Sequence, residues 1–172
     1  MATVIIRPNG VEAVSGFDQT GTGLYERLSD DDNSTATTQN QSSAEIRVTL
    51  ETDSVYAGGT INSIQLTIIA SSSGRGEPNI TYSILNSSQT VLASDTDTFT
   101  TENATQIQGL TYSTSLTPTI VDGLQILIEP DSTGCKIYEA FVEVDYAPAI
   151  VLNGSVELKS GKFKIVSGKI KI

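Results

Sequence analysis

The residues able to do chemistry are few, and one type is missing altogether: the 172-residue chain contains no histidine. Imidazole is the base of Ser-His-Asp and Cys-His pairs and a common zinc ligand, so those arrangements are excluded together. Cys135 is the single cysteine. Without a partner base it reads as a buried strand thiol, and it leaves no intrachain disulfide to form. Gly21-Thr-Gly23 and Gly74-Arg-Gly76 are isolated glycine pairs in turn contexts, short of any phosphate loop or dinucleotide fingerprint. Carboxylates, by contrast, are abundant. Glu143 and Asp145 alternate along one strand face at a spacing a glycoside hydrolase could use. Acids on an outward strand face are ordinarily just solvated, so no catalytic residue is assigned. Asp30, Asp31 and Asp32 run into Asn33 and are the metal candidates, because hard cations take several oxygen ligands. The run lacks the spaced Asp-X-Asp-X-Asp-Gly pattern, and a solvated acidic loop is the leading reading. Tyr25, Tyr56, Tyr82 and Tyr112 are the candidates for stacking on a sugar in a chain without Trp, against a competing place in the core or rim. No cofactor is expected.

The elements that would position these residues are almost all strands. Thr3–Ile6 opens the chain and stops at Pro8-Asn-Gly10. Leu24–Leu28 is short and alternating, and a long polar loop follows from Ser29 to Ser43. Ala44–Leu50 places Ile46, Val48 and Leu50 on one face and Glu45, Arg47 and Thr49 on the other, the period of a half-buried strand. Ile64–Ala70 follows, then Ile80–Leu85 and Thr90–Ala93 around an Asn86-Ser-Ser-Gln89 hairpin turn. Asp95–Thr101, Thr105–Tyr112 and Leu124–Ile128 come next. Lys136–Tyr146 closes the series, with Tyr138, Ala140, Val142, Val144 and Tyr146 inward and Glu139, Glu143 and Asp145 outward. With no helical period between them, these segments specify an all-β fold: an antiparallel, jelly-roll-like β-sandwich over 1–147.

Residues 148–172 differ in kind. They repeat every seven positions: Asn153-Gly-Ser-Val-Glu-Leu-Lys159, Ser160-Gly-Lys-Phe-Lys-Ile-Val166, Ser167-Gly-Lys-Ile-Lys-Ile172. Gly154, Gly161 and Gly168 share one column as turn glycines, and Val156, Leu158, Phe163, Ile165, Ile170 and Ile172 flank single polar residues at strand period. Burying six such side chains does not offset the entropy of ordering the segment, so the repeat predicts an assembly tail completed by sister copies or a partner groove. Charge splits at the same place. Residues 1–147 carry five basic against nineteen acidic side chains, and 148–172 carry five lysines against Glu157 alone, within an overall −10. An acidic body argues against nucleic acid as partner, and lysines alternating with hydrophobics suit a protein surface better than phosphates. The N-terminal apolar run is too short for a signal peptide, and no stretch approaches membrane-spanning length, so synthesis in the cytoplasm and no membrane partner are expected.

Over roughly residues 15–148 the chain resembles, in cadence, jelly-roll structural proteins of tailed-bacteriophage virions. The resemblance is carried by Leu24-Tyr-Glu-Arg-Leu28 running into Ser29-Asp-Asp-Asp-Asn33, by Ile64-Gln-Leu-Thr-Ile68, and by Asp122-Gly-Leu-Gln-Ile-Leu-Ile128 followed by Ile137–Pro148. It implies a non-enzymatic virion component, a capsid decoration or cement protein that forms a homotrimer and contacts a major capsid or other virion protein. The alternatives are a trimeric tail fibre, a carbohydrate-binding module with a glycan as ligand, and a filament-forming protein.

Overall fold

A computed structural model of the chain describes residues 1–18, 22–30, 36–39, 44–72, 77–100 and 105–149, with main chain alone at 22, 25 and 105–108. The repeat, with the six apolar residues and three glycines assigned to it, lies outside the described residues, as do Asp31 and Asp32. Among the described residues, ten strands form two antiparallel sheets. The first sheet has the order β1 (Ala2–Ile6), β10 (Cys135–Ala147), β5 (Thr60–Ser72), β8 (Thr105–Tyr112), and β3 (Thr37–Thr38) pairs with the start of β10. The second runs β2 (Pro8–Ser15), β4 (Glu45–Leu50), β9 (Gln125–Pro130), β6 (Asn79–Leu85), β7 (Val91–Thr98). The chain crosses between the sheets at nearly every step, which makes the body a jelly-roll-like β-sandwich.

The alternating faces explain the layering. Ile46, Val48, Ile80, Tyr82, Ile84, Ile126 and Ile128 from the second sheet are buried against Ile6, Ile64, Leu66, Ile68, Val142 and Val144 from the first. β5 and β10 form the spine of the first sheet, paired from Cys135 opposite Ser72 to Ala147 opposite Thr60. The Asn86–Gln89 turn is present: the Asn86 side chain accepts the Ser88 and Thr90 amides at 2.9 Å, and Gln89 takes φ 61°. β6 and β7 are thereby held as a hairpin.

Several sequence expectations fail for identifiable reasons. Leu24–Leu28 is part of a helix, α1 (Thr22–Ser29), not a strand. Leu24 and Leu28, four apart, share one helical face, are fully buried, and seat α1 against β2 and β10. Pro8-Asn-Gly10 does not end the sheet structure but begins β2. Register shifts between Pro8 and Gly10 and between Val11 and Ala13 break the strict alternation that would have marked it. The loop from Ser29 to Ser43 contains β3, and Val91–Thr98 is one continuous strand rather than two segments. In β10 a bulge between Ile137 and Glu139 takes Tyr138 out of the inward row, and Ile137 fills the core instead. The Tyr138 hydroxyl pairs with Ser71 Oγ at 3.2 Å. Glu139, expected outward and solvated, is buried beside Arg7, whose Nη1 lies 3.6 Å from Glu139 Oε1 and whose guanidinium sits 5.2 Å from the Phe141 ring centre.

Candidate binding surface

The outward face of the second sheet holds an open cleft of about 490 Å³ lined by Ser15, Ala44, Glu45, Thr81, Glu129, Pro130 and Asp131. Strand register assembles it. Ser15 of β2 is opposite Glu45 of β4, and Thr81 of β6 is opposite Glu129 of β9. Ile46 is opposite Ile128, so continuing the β4–β9 register by one residue sets Glu45 across from Glu129. Like charges directly across a strand pair are destabilising. Arg47 relieves them only in part, with Nη2 3.9 Å from Glu45 Oε1 and Nη1 donating to Gln89 Oε1 at 3.0 Å.

Asp131 forms the third acidic wall and is pinned. It accepts from the Asn79 amide at 3.0 Å and from Asn79 Nδ2 at 2.6 Å. Those hydrogen bonds, the side-chain one foremost, hold its carboxyl below the usual carboxylate range. Beyond the cleft the face continues as paired hydroxyls, Thr81 with Thr96 at 2.9 Å and Ser83 with Ser94 at 2.8 Å. The surface is one of hydrogen-bonding oxygens, with Pro130 and Ala44 as its apolar patches.

The arrangement can hold a hydroxyl-rich ligand, because a carboxylate accepts from neighbouring diol hydroxyls while Ser and Thr donate and accept in turn. Glu45 and Glu129 stand side by side on one sheet face, whereas glycoside hydrolysis uses acids on either side of the scissile bond.

The residues singled out from the sequence are elsewhere. Glu143 and Asp145 lie on the outward face of the first sheet, half-buried, with Asp145 accepting from Asn62 Nδ2 at 3.3 Å. Asp30 is exposed just past α1, and no group of three or more acidic or thiol side chains is placed to hold a metal among the described residues. Cys135 is fully buried, and desolvation pushes its thiol pKa up. Among the described side chains, the tyrosines form no platform. Tyr56 and Tyr82 are core residues and Tyr112 packs partly against the core, while the Tyr25 side chain is outside what is described. The Tyr82 hydroxyl donates to Asp97 Oδ2, and burial foremost, then that bond, pushes its pKa up. Of the cleft residues, Glu45 is legible in the sequence as an outward position. Glu129 lies one residue beyond the apolar pattern that ends at Ile128, and continues its outward parity. Ser15 ends β2, whose register shifts hide its period.

No family model and no curated protein matches the chain. Among solved structures, the C-terminal CBM6 of LamC, a marine laminarinase from Zobellia galactanivorans, aligns with TM-score 0.49 and 11% identity over 83% of this chain and 98% of that one. A carbohydrate-binding module of Cellvibrio mixtus lichenase 5A, in complex with cellotriose, aligns with TM-score 0.44 and 13% identity over 83% and 95%. The CBM22-1-GH10 modules of a Clostridium thermocellum xylanase, complexed with xylohexaose, align with TM-score 0.45 and 16% identity over 87% of this chain and 30% of that one. Likeness at this level carries no argument about what this chain binds.

Proposed function

We propose that the sandwich is a non-catalytic carbohydrate-binding domain that holds a saccharide in the cleft on the outward face of its second sheet. The observation that supports this reading is the cleft itself, where Glu45 and Glu129 face each other beside Ser15, Thr81 and the pinned Asp131. Two carboxylates set together at a cost in repulsion gain acceptable partners when sugar hydroxyls donate to both. Among the described residues no aromatic lines the cleft, so recognition would be polar, and affinity in the micromolar to millimolar range is expected. The test is titration calorimetry of the full chain against a panel of neutral and anionic oligosaccharides. Glu45→Ala and Glu129→Ala should each weaken binding at least tenfold with the circular dichroism unchanged. No binding across the panel, or binding that survives both substitutions, refutes the reading.

A second reading is favoured by the glycine-registered repeat of residues 153–172. A repeat with this pattern suits a structural protein that assembles through its C-terminal segment, and capsid decoration belongs to that reading. The native mass of the full chain against a chain ending at Pro148 separates the two. A monomer in both forms removes the assembly reading and leaves the saccharide reading standing.

A further inference from the structure

β7 is the edge strand of the second sheet; among the described residues it pairs with β6 alone, and β8 of the first sheet packs near it without pairing. The Phe99 amide donates to the Pro78 carbonyl, the single bond a proline permits, which puts Phe99 and Pro78 at a hydrogen-bonded position of the ladder and the neighbouring Thr98 and Asn79 at a non-bonded one. The Asn79 carbonyl accordingly turns the other way, to the Asp131 amide. Alternation then aims the main-chain groups of Ser94, Thr96 and Thr98 away from β6. An edge of this kind invites pairing with any extended chain.

The edge is guarded by charge. Asp95 and Asp97 are two apart, on the sandwich side of β7 in register with Tyr82 and Ile80, and Asp95 Oδ1 also holds the Thr96 amide at 2.8 Å. Inward-pointing acids on an edge strand deter pairing between like copies, since β7 against β7 would set aspartates together. The same acids select a strand with cations two apart. The chain supplies one: Lys162 and Lys164 alternate with Phe163 and Ile165, and Lys169 and Lys171 alternate with Ile170 and Ile172. Successive lysines at this spacing fall on one face of a strand, the face that would meet Asp95 and Asp97. Val91, an apolar side chain 51% exposed at the start of β7, offers apolar contact to the tail's hydrophobic residues.

We infer that the outer edge of β7 is the docking site for the lysine-bearing C-terminal segment, residues 160–172, of a second copy of this chain. The inference rests on the assembly reading of the repeat and names the surface which that reading lacks. Docking would be by strand addition, with main-chain bonds giving affinity and the Asp95/Asp97–lysine pairs fixing register and excluding uncharged edges.

The test is sedimentation equilibrium of the full-length protein. It should show an oligomer at 50 mM salt that weakens at least tenfold at 500 mM. Asp95→Lys with Asp97→Lys should give a monomer, as should Lys162→Glu with Lys164→Glu, and mixing the two variants should restore association. Because Asp97 also accepts from Tyr82, exposed Asp95→Lys alone is the second variant, expected to weaken association measurably with the fold intact. An oligomer indifferent to all β7 substitutions overturns the docking site and leaves the assembly reading in place. A monomeric wild type whose β7 amides are indifferent to residues 160–172 sinks both. A monomer whose β7 amides gain exchange protection only when residues 160–172 are present shows docking within one chain, and overturns the second-copy assignment.

Discussion

Replacing Tyr56 by Phe removes one oxygen from a junction that ties three distant parts of the chain together. The Tyr56 hydroxyl donates to Asp122 Oδ1 at 2.7 Å and accepts from the Asp53 amide at 3.2 Å. Its ring meets Tyr146 edge-on, with centroids 6.4 Å apart and planes at 74°. Phe keeps the ring contact and the core volume, so only the two hydrogen bonds are lost. A bond to a charged acceptor contributes about 1.5–3 kcal/mol and a neutral one about 0.5–1.5. Asp122 is exposed and recovers water when abandoned, which places its share at the low end. The net loss expected is about 2 kcal/mol at pH 7, or a Tm lower by about 4–8 °C for a chain of this length. Urea unfolding followed by far-ultraviolet circular dichroism measures it, the better choice in a chain without tryptophan. The same hydroxyl has a pH signature. Burial foremost pushes its pKa up to about 12, whereas a tyrosine in the unfolded chain titrates near 10. The fold therefore favours the protonated form. Its contribution is whole below pH 10 and is lost as pH rises from 10 through 12, so wild type should lose its advantage over Tyr56→Phe across that window. Tyr82 titrates in both proteins and cancels from the difference. A loss under about 0.5 kcal/mol at pH 7, or a wild-type advantage constant from pH 8 to 11.5, would refute the reasoning.

Other outcomes can be stated more briefly. Ile128→Ala empties a fully buried position between the sheets and should cost about 2–5 kcal/mol in the same urea experiment. Gly59→Ala would bring a methyl to 2.5 Å from the Ala147 carbonyl oxygen, so the turn or the end of β10 must shift; destabilisation by about 1–3 kcal/mol is expected, and an unchanged midpoint argues against that close approach. Cys135 should resist a thiol reagent in the native protein at pH 8 and react at once in denaturant, since its thiol is fully buried and its pKa raised. Asp131→Asn should remove a stabilising contribution present above the usual carboxylate pKa and lost as pH falls below it, visible as a flatter acid limb of stability against pH.

Where the pleat is regular, the sequence was sufficient. Ile46, Val48 and Leu50 alternate with Glu45, Arg47 and Thr49 without interruption, and the strand and both its faces are as read. Where a bulge intervenes, period two misleads: β2 shifts register twice within eight residues and was missed, and Tyr138 and Glu139 exchanged roles after one extra residue in β10. α1 is too short for its period to outweigh an equally good strand reading of Leu24-Tyr-Glu-Arg-Leu28, and only burial of Leu24 and Leu28 against two strands decides it. The cleft was illegible for another reason. Its acids come from β4, β9 and the residue just past β9, far apart in the chain, and only the pairing of β4 with β9 makes them neighbours.

The position of β10 has a mechanical consequence. The lysine-rich segment continues directly from an inner strand, held by β5 along its length and by β1 from Ile6 opposite Val142 to Ala2 opposite Tyr146. A load from the C-terminus opposed at the far end of the first sheet would run along β10 and shear its ladders, whereas one opposed at the N-terminus would peel β1 from β10, because Ala2 lies opposite Tyr146. Rupture under load is governed by the unfolding rate, and a shear geometry keeps that rate low. The direction of the load, set by where the opposing anchor lies, would therefore decide how long the sandwich holds.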